Sequence, residues 1–228
     1  MNADFSPAVN NAGIVDGRPI LETDLEAVLR VFRVNTLAHY VTVKQFLPAM
    51  ISRGHGHVVS VASAASYMSI PQLSNYAVSK AGALAFHEAL TGELRARYGP
   101  KARKIRTTVC CPTKVRTALG DGLEDQGNQF TTPTLEPIQV AVNIVGAIES
   151  GLSGHFIMPG IMNMLPIVSR GPAWLRRIVE LIGDTDFNVS DKGAERAIAN
   201  GYGANFEGED AELWKKTQDR VAAAKNKT

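Results

Sequence analysis

Short apolar runs alternate along the chain with longer stretches in which apolar residues recur at helical spacing. The runs are bounded by Gly, Pro, Asn or Ser, which is typical of buried strands, whereas the longer stretches have the period of amphipathic helices. The pattern predicts strands at about 7–9, 57–62, 105–111 and 155–158, and helices at about 23–53, 75–98 and 137–149. This β-α-β-α-β-α-β alternation favours an α/β fold with a parallel sheet covered by helices on both faces.

Local sequence also predicts where some elements begin and end. Thr23 and Glu26 have the spacing of a capping box at the start of the first helix. After Pro159 the chain changes in texture, first to an apolar stretch with arginines and then to a polar tail. We therefore divide it into a core at 1–160, an apolar segment at 161–187 and a tail at 188–228.

Composition and charge narrow the range of possible functions and locations. The chain has 228 residues, of which 45% are hydrophobic and 20% charged, and its formal net charge is only +2, so no nucleic-acid partner is expected. The basic cluster at 101–106 is interpreted as a solvated connection. Cys110 and Cys111 are neighbours on a strand and should point to opposite faces, which disfavours a disulfide and favours a reducing, intracellular compartment.

No metal site is expected. His55 and His57 flank a glycine, but two histidines without further ligands are more typical of solvated turn residues than of a metal centre.

Ser63, Tyr76 and Lys80 form the constellation with the clearest chemistry. Tyr76 and Lys80 are four residues apart, so they share one face of the predicted helix. There the ammonium can lower the pKa of the phenol, which at its ordinary value of about 10 is a poor base near neutral pH. Ser63 precedes Tyr76 by thirteen residues, in the loop after a strand.

This set resembles the catalytic centre of the short-chain dehydrogenase/reductase family, and the resemblance extends from Asn10 to about Gly160. The Asn-Asn-Ala-Gly turn at 10–13, the mid-helix Asn35 and the Pro-x-x-x-x-Thr turn at 112–117 match further family motifs in order and spacing. Thr113 replaces a family glycine, as in the lipid-alcohol branches. The turn at 111–117 and the region after Pro159 are similar to the retinol- and hydroxysteroid-dehydrogenase-like branch.

The resemblance implies a doubly wound, Rossmann-like sheet and hydride transfer between NAD or NADP and an alcohol or carbonyl. Tyr76 would exchange the substrate proton, Lys80 would lower its pKa and bind the nicotinamide ribose, and Ser63 would polarise the substrate oxygen. Asn35 would connect Lys80 to solvent through a water. The cofactor would contact Asn11, Ala12, Gly13, Tyr76, Lys80, Pro112, Val115 and Thr117.

Each of these residues also has a structural interpretation. Tyr76 could pack on the core at the start of a helix, and Ser63 could cap the loop after its strand. Asn35 could bond back to the preceding helical turn. Thr117 could be the N-cap of a short helix as well as a cofactor ligand.

Only nine residues precede Asn10, whereas full-length family members begin with a strand, a Gly-rich turn, a helix and further strands. We therefore expect a partial sheet that lacks its first βαβαβ portion, with the first strand at an open edge. Cofactor binding is expected to be weakened or lost. The alternative to a dehydrogenase is an inactive fragment, or a scaffold or binding protein that retains a dehydrogenase shell.

The expected pocket is apolar, which favours a lipophilic alcohol, ketone or aldehyde of retinoid or steroid type. Its loops contribute Ile14, Val15, Ala64, Met68, Ile70, Leu73, Val115 and Leu119. An apolar stripe with arginines at 171–183 favours equally a helix in a membrane interface and a helix over the pocket or at a subunit contact. A homo-oligomer and a location in the cytoplasm or on an intracellular membrane both stay open.

Overall fold

Four parallel strands form a single sheet in the computed structural model, which describes residues 7–117, 119–120, 133–174 and 177. The strands lie in the order β1-β2-β3-β4, namely β1 (Pro7–Asn10), β2 (His57–Val61), β3 (Arg106–Pro112) and β4 (Gly154–Met158). This confirms the predicted parallel sheet. Within the described part of the chain β1 pairs only with β2, so it lies at an edge, as expected.

Six helices connect and cover the described strands. They are α1 (Leu25–Phe32), α2 (Ala38–Arg53), α3 (Ser74–Ala96), α4 (Gly99–Ala102), α5 (Pro137–Glu149) and α6 (Leu165–Arg170). A π-helical segment, Arg33–Leu37, joins α1 to α2. The sequence predicted a single regular helix there, because the apolar period alone does not reveal a change in backbone hydrogen bonding.

The predicted capping box at the start of the first helix is wrong. The N-cap is Asp24, and its side chain makes no capping hydrogen bond. The Thr23 hydroxyl instead donates to the carbonyl oxygen of Pro19 at 2.9 Å, because a 3-10 turn at Ile20–Glu22 precedes the helix. A capping box is present elsewhere, between Glu136 and Gln139 at the start of α5.

The sheet has an apolar core on each face. On one face, α2 and α3 pack over Val58, Val109 and Cys111, and on the other, α5 packs over Cys110. Both cysteines are free and buried, and their side chains point to opposite faces, as the sequence predicted. Both faces of β2 and β3 are buried, which explains why neither strand alternates regularly between apolar and polar residues.

His57 differs from its sequence interpretation as a solvated turn residue. It is the first residue of β2, it is fully buried, and its Nε2 lies 2.8 Å from Thr108 Oγ1. The described residues contain no group of three or more His, Cys, Asp or Glu side chains arranged to hold a metal ion. Of the predicted stripe at 171–183, only 171–174 and 177 are described, and the rest lies outside the described residues.

None of the helices that the structure describes is long and apolar enough to cross a membrane.

Candidate active site

Ser63 follows β2 at the carboxyl edge of the sheet. Its backbone is extended, and its Oγ accepts a hydrogen bond from the Ala65 N–H at 3.1 Å, which caps the short turn Ala64–Ser66. The hydroxyl also lies 3.4 Å from the Pro112 carbonyl oxygen, to which it donates. Ser63 therefore caps the loop, and the same geometry holds its hydroxyl at the edge where β2 and β3 end.

Tyr76 is in the first turn of α3 and packs in an apolar cluster with Val15, Leu73 and other residues of the edge loops. Burial raises the pKa of its phenol, and this effect outweighs a hydrogen bond with Ser63, which lowers the pKa. The structure thus brings the predicted acid/base and the predicted polarising serine into contact.

Lys80 lies one helical turn beyond Tyr76 and is 3% exposed. Its Nζ donates to the Val61 carbonyl oxygen at 2.9 Å and lies 5.9 Å from the centroid of the Tyr76 ring. Burial lowers the pKa of this ammonium to about 8. A group that can gain or lose a proton near neutral pH is therefore placed beside the phenol.

The expected effect of Lys80 on Tyr76 is not present in this arrangement. The sequence predicted that the ammonium lowers the phenol pKa, whereas desolvation raises it. The ammonium donates to a backbone carbonyl and lies 5.9 Å from the ring centroid, and burial of the phenol is the largest cause of the shift. The protein groups alone thus keep Tyr76 protonated at neutral pH, in the state that donates a proton.

Asn35 occupies the π-helical segment and is completely buried. Its Oδ1 accepts from the Ile14 N–H at 2.9 Å, and its Nδ2 donates to the Ile14 carbonyl oxygen and to Ser79 Oγ, both at 2.9 Å. These partners lie on other elements, so the interpretation that Asn35 bonds back to its own helix is wrong. The side chain joins the loop after β1 to helix α3, which carries Tyr76 and Lys80.

The turn after β1 approaches the same place. A Cβ atom at Gly13 would lie 3.3 Å from Lys80 Nζ and 3.6 Å from Asn35 Oδ1, so the absence of a side chain lets the turn pass close to both. Asn11 and Ala12, which precede it, are exposed at the carboxyl end of β1. Gly13, Asn35 and Lys80 are therefore brought together as the sequence pattern requires.

The predicted cofactor residues after β3 are only partly brought together. Pro112 ends β3 beside Ser63, and Val115 forms an isolated bridge with Leu135. Thr117 is exposed, and its hydroxyl lies 3.4 Å from the Val115 carbonyl oxygen, to which it donates. Among the hydrogen bonds of the described residues, none joins Thr117 to Tyr76 or Lys80.

Two residues that the sequence did not single out complete the site. Ser79 Oγ donates to the Tyr76 carbonyl oxygen at 2.7 Å and accepts from Asn35. Cys111 is buried near Tyr76, and burial raises the pKa of its thiol to about 12, so it remains a neutral thiol. The small polar Ser79 on the buried face of α3 was the available sequence clue.

The chain belongs to the short-chain dehydrogenase family, because the profile described as short chain dehydrogenase matches residues 7–128. Among curated relatives, it is 41% identical to human estradiol 17-beta-dehydrogenase 11 over 158 residues, which are 69% of this chain and 50% of that protein. It is 50% identical to dehydrogenase RED3 of Cochliobolus heterostrophus over 103 residues, 45% of this chain and 52% of that one. The chain spans about half the length of these curated relatives.

Solved structures support the fold. A short chain dehydrogenase from Burkholderia cenocepacia, solved in complex with NADP, aligns with a TM-score of 0.58 at 23% identity, covering 78% of this chain and 68% of that one. A putative gluconate dehydrogenase from Agrobacterium tumefaciens gives 0.58 at 21% identity, covering 68% and 64%. At these identities the likeness establishes the Rossmann-like architecture alone.

Proposed function

We propose that this chain contains the catalytic part of an NAD- or NADP-dependent oxidoreductase that interconverts a lipophilic alcohol and its ketone or aldehyde. The observation that supports this most directly is the convergence of Ser63, Tyr76, Lys80 and Asn35 at the carboxyl edge of a parallel sheet. Ligands of open α/β sheets bind outside the carboxyl ends of the strands.

The residues at this edge fit a nicotinamide cofactor. Gly13 brings the backbone of the turn at 10–13 close to Lys80, and Asn10 Nδ2 and Thr113 Oγ1 are buried polar atoms that have no hydrogen-bond partner among the described residues. Such atoms are suited to a polar ligand, because leaving them unpaired is costly. The bound cofactor would supply the hydride acceptor or donor, held by the turn at 10–13 and by Lys80, Pro112, Val115 and Thr117.

The chain's own residues would move the proton. Tyr76 donates its hydroxyl proton to the carbonyl oxygen in reduction and takes it back in oxidation, while Ser63 hydrogen-bonds the same substrate oxygen. Lys80, with a pKa of about 8, replaces that proton at neutral pH. Asn35 fixes the loop after β1 against α3 and so keeps this geometry.

An apolar surface beside Tyr76 supports a lipophilic substrate. Val15 and Leu73 are buried there, and Ile70 and Leu119 pack against them. On the other side of Ser63, Ala64 and Met68 belong to a second apolar cluster. The rat and human relatives, both named estradiol 17-beta-dehydrogenase 11, support the same proposal of a hydroxysteroid-like alcohol.

A second candidate function is a binding or scaffold protein without turnover. It is supported by the raised pKa of Tyr76 and by the hydrogen bond that engages Lys80 Nζ with the Val61 backbone. Both features make the unliganded site less reactive than the sequence predicted.

The two functions are separated by titrating the 228-residue chain with NADH and NADPH by fluorescence and by assaying oxidation of a steroid alcohol and a long-chain alcohol. An oxidoreductase requires saturable cofactor binding and turnover that Tyr76→Phe reduces about 10²- to 10⁴-fold. Tyr98→Phe, at an exposed tyrosine, is the matched control and should leave turnover unchanged. Binding without turnover in the unsubstituted chain would favour the scaffold, and equal rates for Tyr76→Phe and the control would exclude Tyr76 as the acid.

Self-association is a further proposal for this protein. A groove of about 680 Å³ runs between α2 and α3, and its lining includes Tyr40, Leu47 and Phe86 together with the opposite charges Lys44 and Glu93. A face with apolar residues and both signs of charge is self-complementary in a two-fold dimer. Sedimentation of the chain with and without Tyr40→Glu measures this association.

Contact of the 171–183 stripe with a membrane also stays a proposal, testable by liposome partitioning of Trp174→Glu.

A further inference from the structure

Asp16 is a buried carboxylate in the loop that follows the turn at 10–13. It is 1% exposed, and neither of its oxygens has a hydrogen-bond partner among the residues that the structure describes. The Arg18 Nε lies 3.7 Å from Asp16 Oδ1, and that guanidinium is largely solvent-exposed. A charged group buried in this way requires compensation from nearby dipoles or donors.

Asn75 directly precedes Tyr76 and is also buried. Its Oδ1 accepts a hydrogen bond from the Tyr76 N–H at 2.6 Å, whereas its Nδ2 has no partner within the described part of the chain. Burial raises the pKa of Asp16, and the Arg18 guanidinium and the Asn75 amide lower it. Val15 packs with Leu73 and Tyr76 in one apolar cluster, so the segments that carry Asp16 and Asn75 are in contact, and their unpaired carboxylate and amide are complementary.

The backbone carbonyl group of Tyr76 is held by a chain of hydrogen bonds. Ser79 Oγ donates to the Tyr76 carbonyl oxygen, Asn35 Nδ2 donates to Ser79 Oγ, and Asn35 also bonds both backbone groups of Ile14. The N–H side leads through Asn75 to Asp16, and the C=O side leads through Ser79 and Asn35 to Ile14. Both chains thus end on the same segment, 14–16.

We propose that Asp16 and Asn75 are positioning residues that tie the first turn of α3 to the loop after β1 and thereby fix the phenol of Tyr76. The N-cap of α3, Leu73, makes no side-chain capping hydrogen bond, so this pair takes the place of a cap. The link itself is a property of the folded chain. Only its effect on hydride transfer rests on the proposed function.

The link requires an acceptor at position 16, not a charge. Asp16→Asn retains a carbonyl oxygen that can accept from Asn75 Nδ2, whereas Asp16→Ala and the volume-filling Asp16→Leu retain none. Without the acceptor, the Asn75 amide loses its orientation and releases the Tyr76 N–H. The structure therefore predicts that Asn rescues the position and that Ala and Leu do not.

Hydrogen exchange tests the link without any need for catalysis. In the full chain, exchange of the Tyr76 amide measured by NMR should be about tenfold faster in Asp16→Ala and Asp16→Leu, and unchanged in Asp16→Asn. Asp24→Ala, at an exposed acidic residue nearby, is the matched control. Amides of β2 and β3 report whether each variant remains folded. Equal protection of the Tyr76 amide in all folded variants would overturn the proposal.

The phenol itself gives a second measurement. Because burial is the largest cause of the raised Tyr76 pKa, a loosened side chain should titrate at lower pH. The absorbance titration, taken as the difference from the same background with Tyr76→Phe, should shift down in Asp16→Ala and not in Asp16→Asn. An unshifted phenol in Asp16→Ala would contradict the positioning role, even if the protein proved to be an active dehydrogenase. A shifted phenol in a chain without turnover would support the link and reject only the proposed function.

Discussion

Three buried histidines should make the folded chain sensitive to mild acid. These are His39, His57 and His87, and each is 4% exposed or less. Burial is the largest cause that lowers the pKa of each from 6.5 to about 4. His57 and His87 each have one ring nitrogen bonded to a hydroxyl group. Neither nitrogen of His39 has a hydrogen-bond partner among the described residues.

The sign follows from the lowered pKa. The folded state keeps the ring neutral, so the unfolded chain binds more protons below pH 6.5, and the free energy of unfolding falls as pH drops from 6.5 toward 4. A lowering of about 2.5 pKa units corresponds to about 3.4 kcal/mol per histidine below pH 4, and to about 2 kcal/mol at pH 5. If the three histidines act independently, they lower the free energy of unfolding by about 5 kcal/mol between pH 7 and pH 5, which is a large part of the stability of a typical domain.

The pKa of Asp16 is raised, so this carboxyl group changes the free energy of unfolding with the opposite sign as pH falls. The contribution of one histidine is therefore measured by substituting that histidine alone. Urea unfolding at pH 7 and at pH 5 should show that His39→Leu loses about 2 kcal/mol less than the unsubstituted chain between these pH values. His55→Gln, at an exposed histidine, is the control and should follow the unsubstituted chain. If His39→Leu showed the same loss as the control, the ring would not be excluded from water as the structure requires.

Three further predictions concern other buried groups. Burial raises the pKa of both Cys110 and Cys111 to about 12. A thiol reagent should therefore label them at least about 100-fold more slowly in native protein than in urea. Fast labelling of the native protein would contradict their burial. Burial lowers the Lys80 pKa to about 8, so the folded chain releases this proton at lower pH than the unfolded chain does. The free energy of unfolding should therefore rise by about 3 kcal/mol between pH 8 and 10.5. Urea titrations of Lys80→Met should lack that rise. Gly13→Val should lower the free energy of unfolding by about 1–3 kcal/mol, because the new side chain crowds Lys80 Nζ. Gly146→Ala, at a position with open space around it, should not lower it in this way.

Much of the fold was readable because the elements are long and their apolar periods are distinct. Helix α5 begins and ends where the pattern predicts, since Pro137 starts it and the apolar period ends at Glu149. Short, largely apolar segments bounded by Gly, Ser or Pro identified β2 and β3. Ser63, Tyr76 and Lys80 could be predicted because a fixed spacing on one helix and one loop places them together.

The remaining features depend on contacts between distant segments. The bonds from Asn35 to Ile14 span 21 residues, and the bond to Ser79 spans 44, so no local pattern contains them. The direction of the Tyr76 pKa shift depends on how deeply the ring is buried, which spacing does not specify. Thr23 was misassigned because an unpredicted 3-10 turn competes for its hydroxyl.

The π-helical segment Arg33–Leu37 constrains how this region of the gene can change in length. Buried side chains at 31, 35, 39, 43 and 47 recur every four residues, which in a regular helix of 3.6 residues per turn would drift about 40° per step. The wider turn of the π segment absorbs part of that drift and keeps Asn35 and His39 inward. Deleting one residue other than Asn35 from this segment would restore regular helical bonding and leave the orientation of α2 nearly unchanged. A one-residue deletion inside α2 would instead rotate everything beyond it by about 100°, so single-residue deletions should be tolerated in the π segment and eliminated in the regular helix.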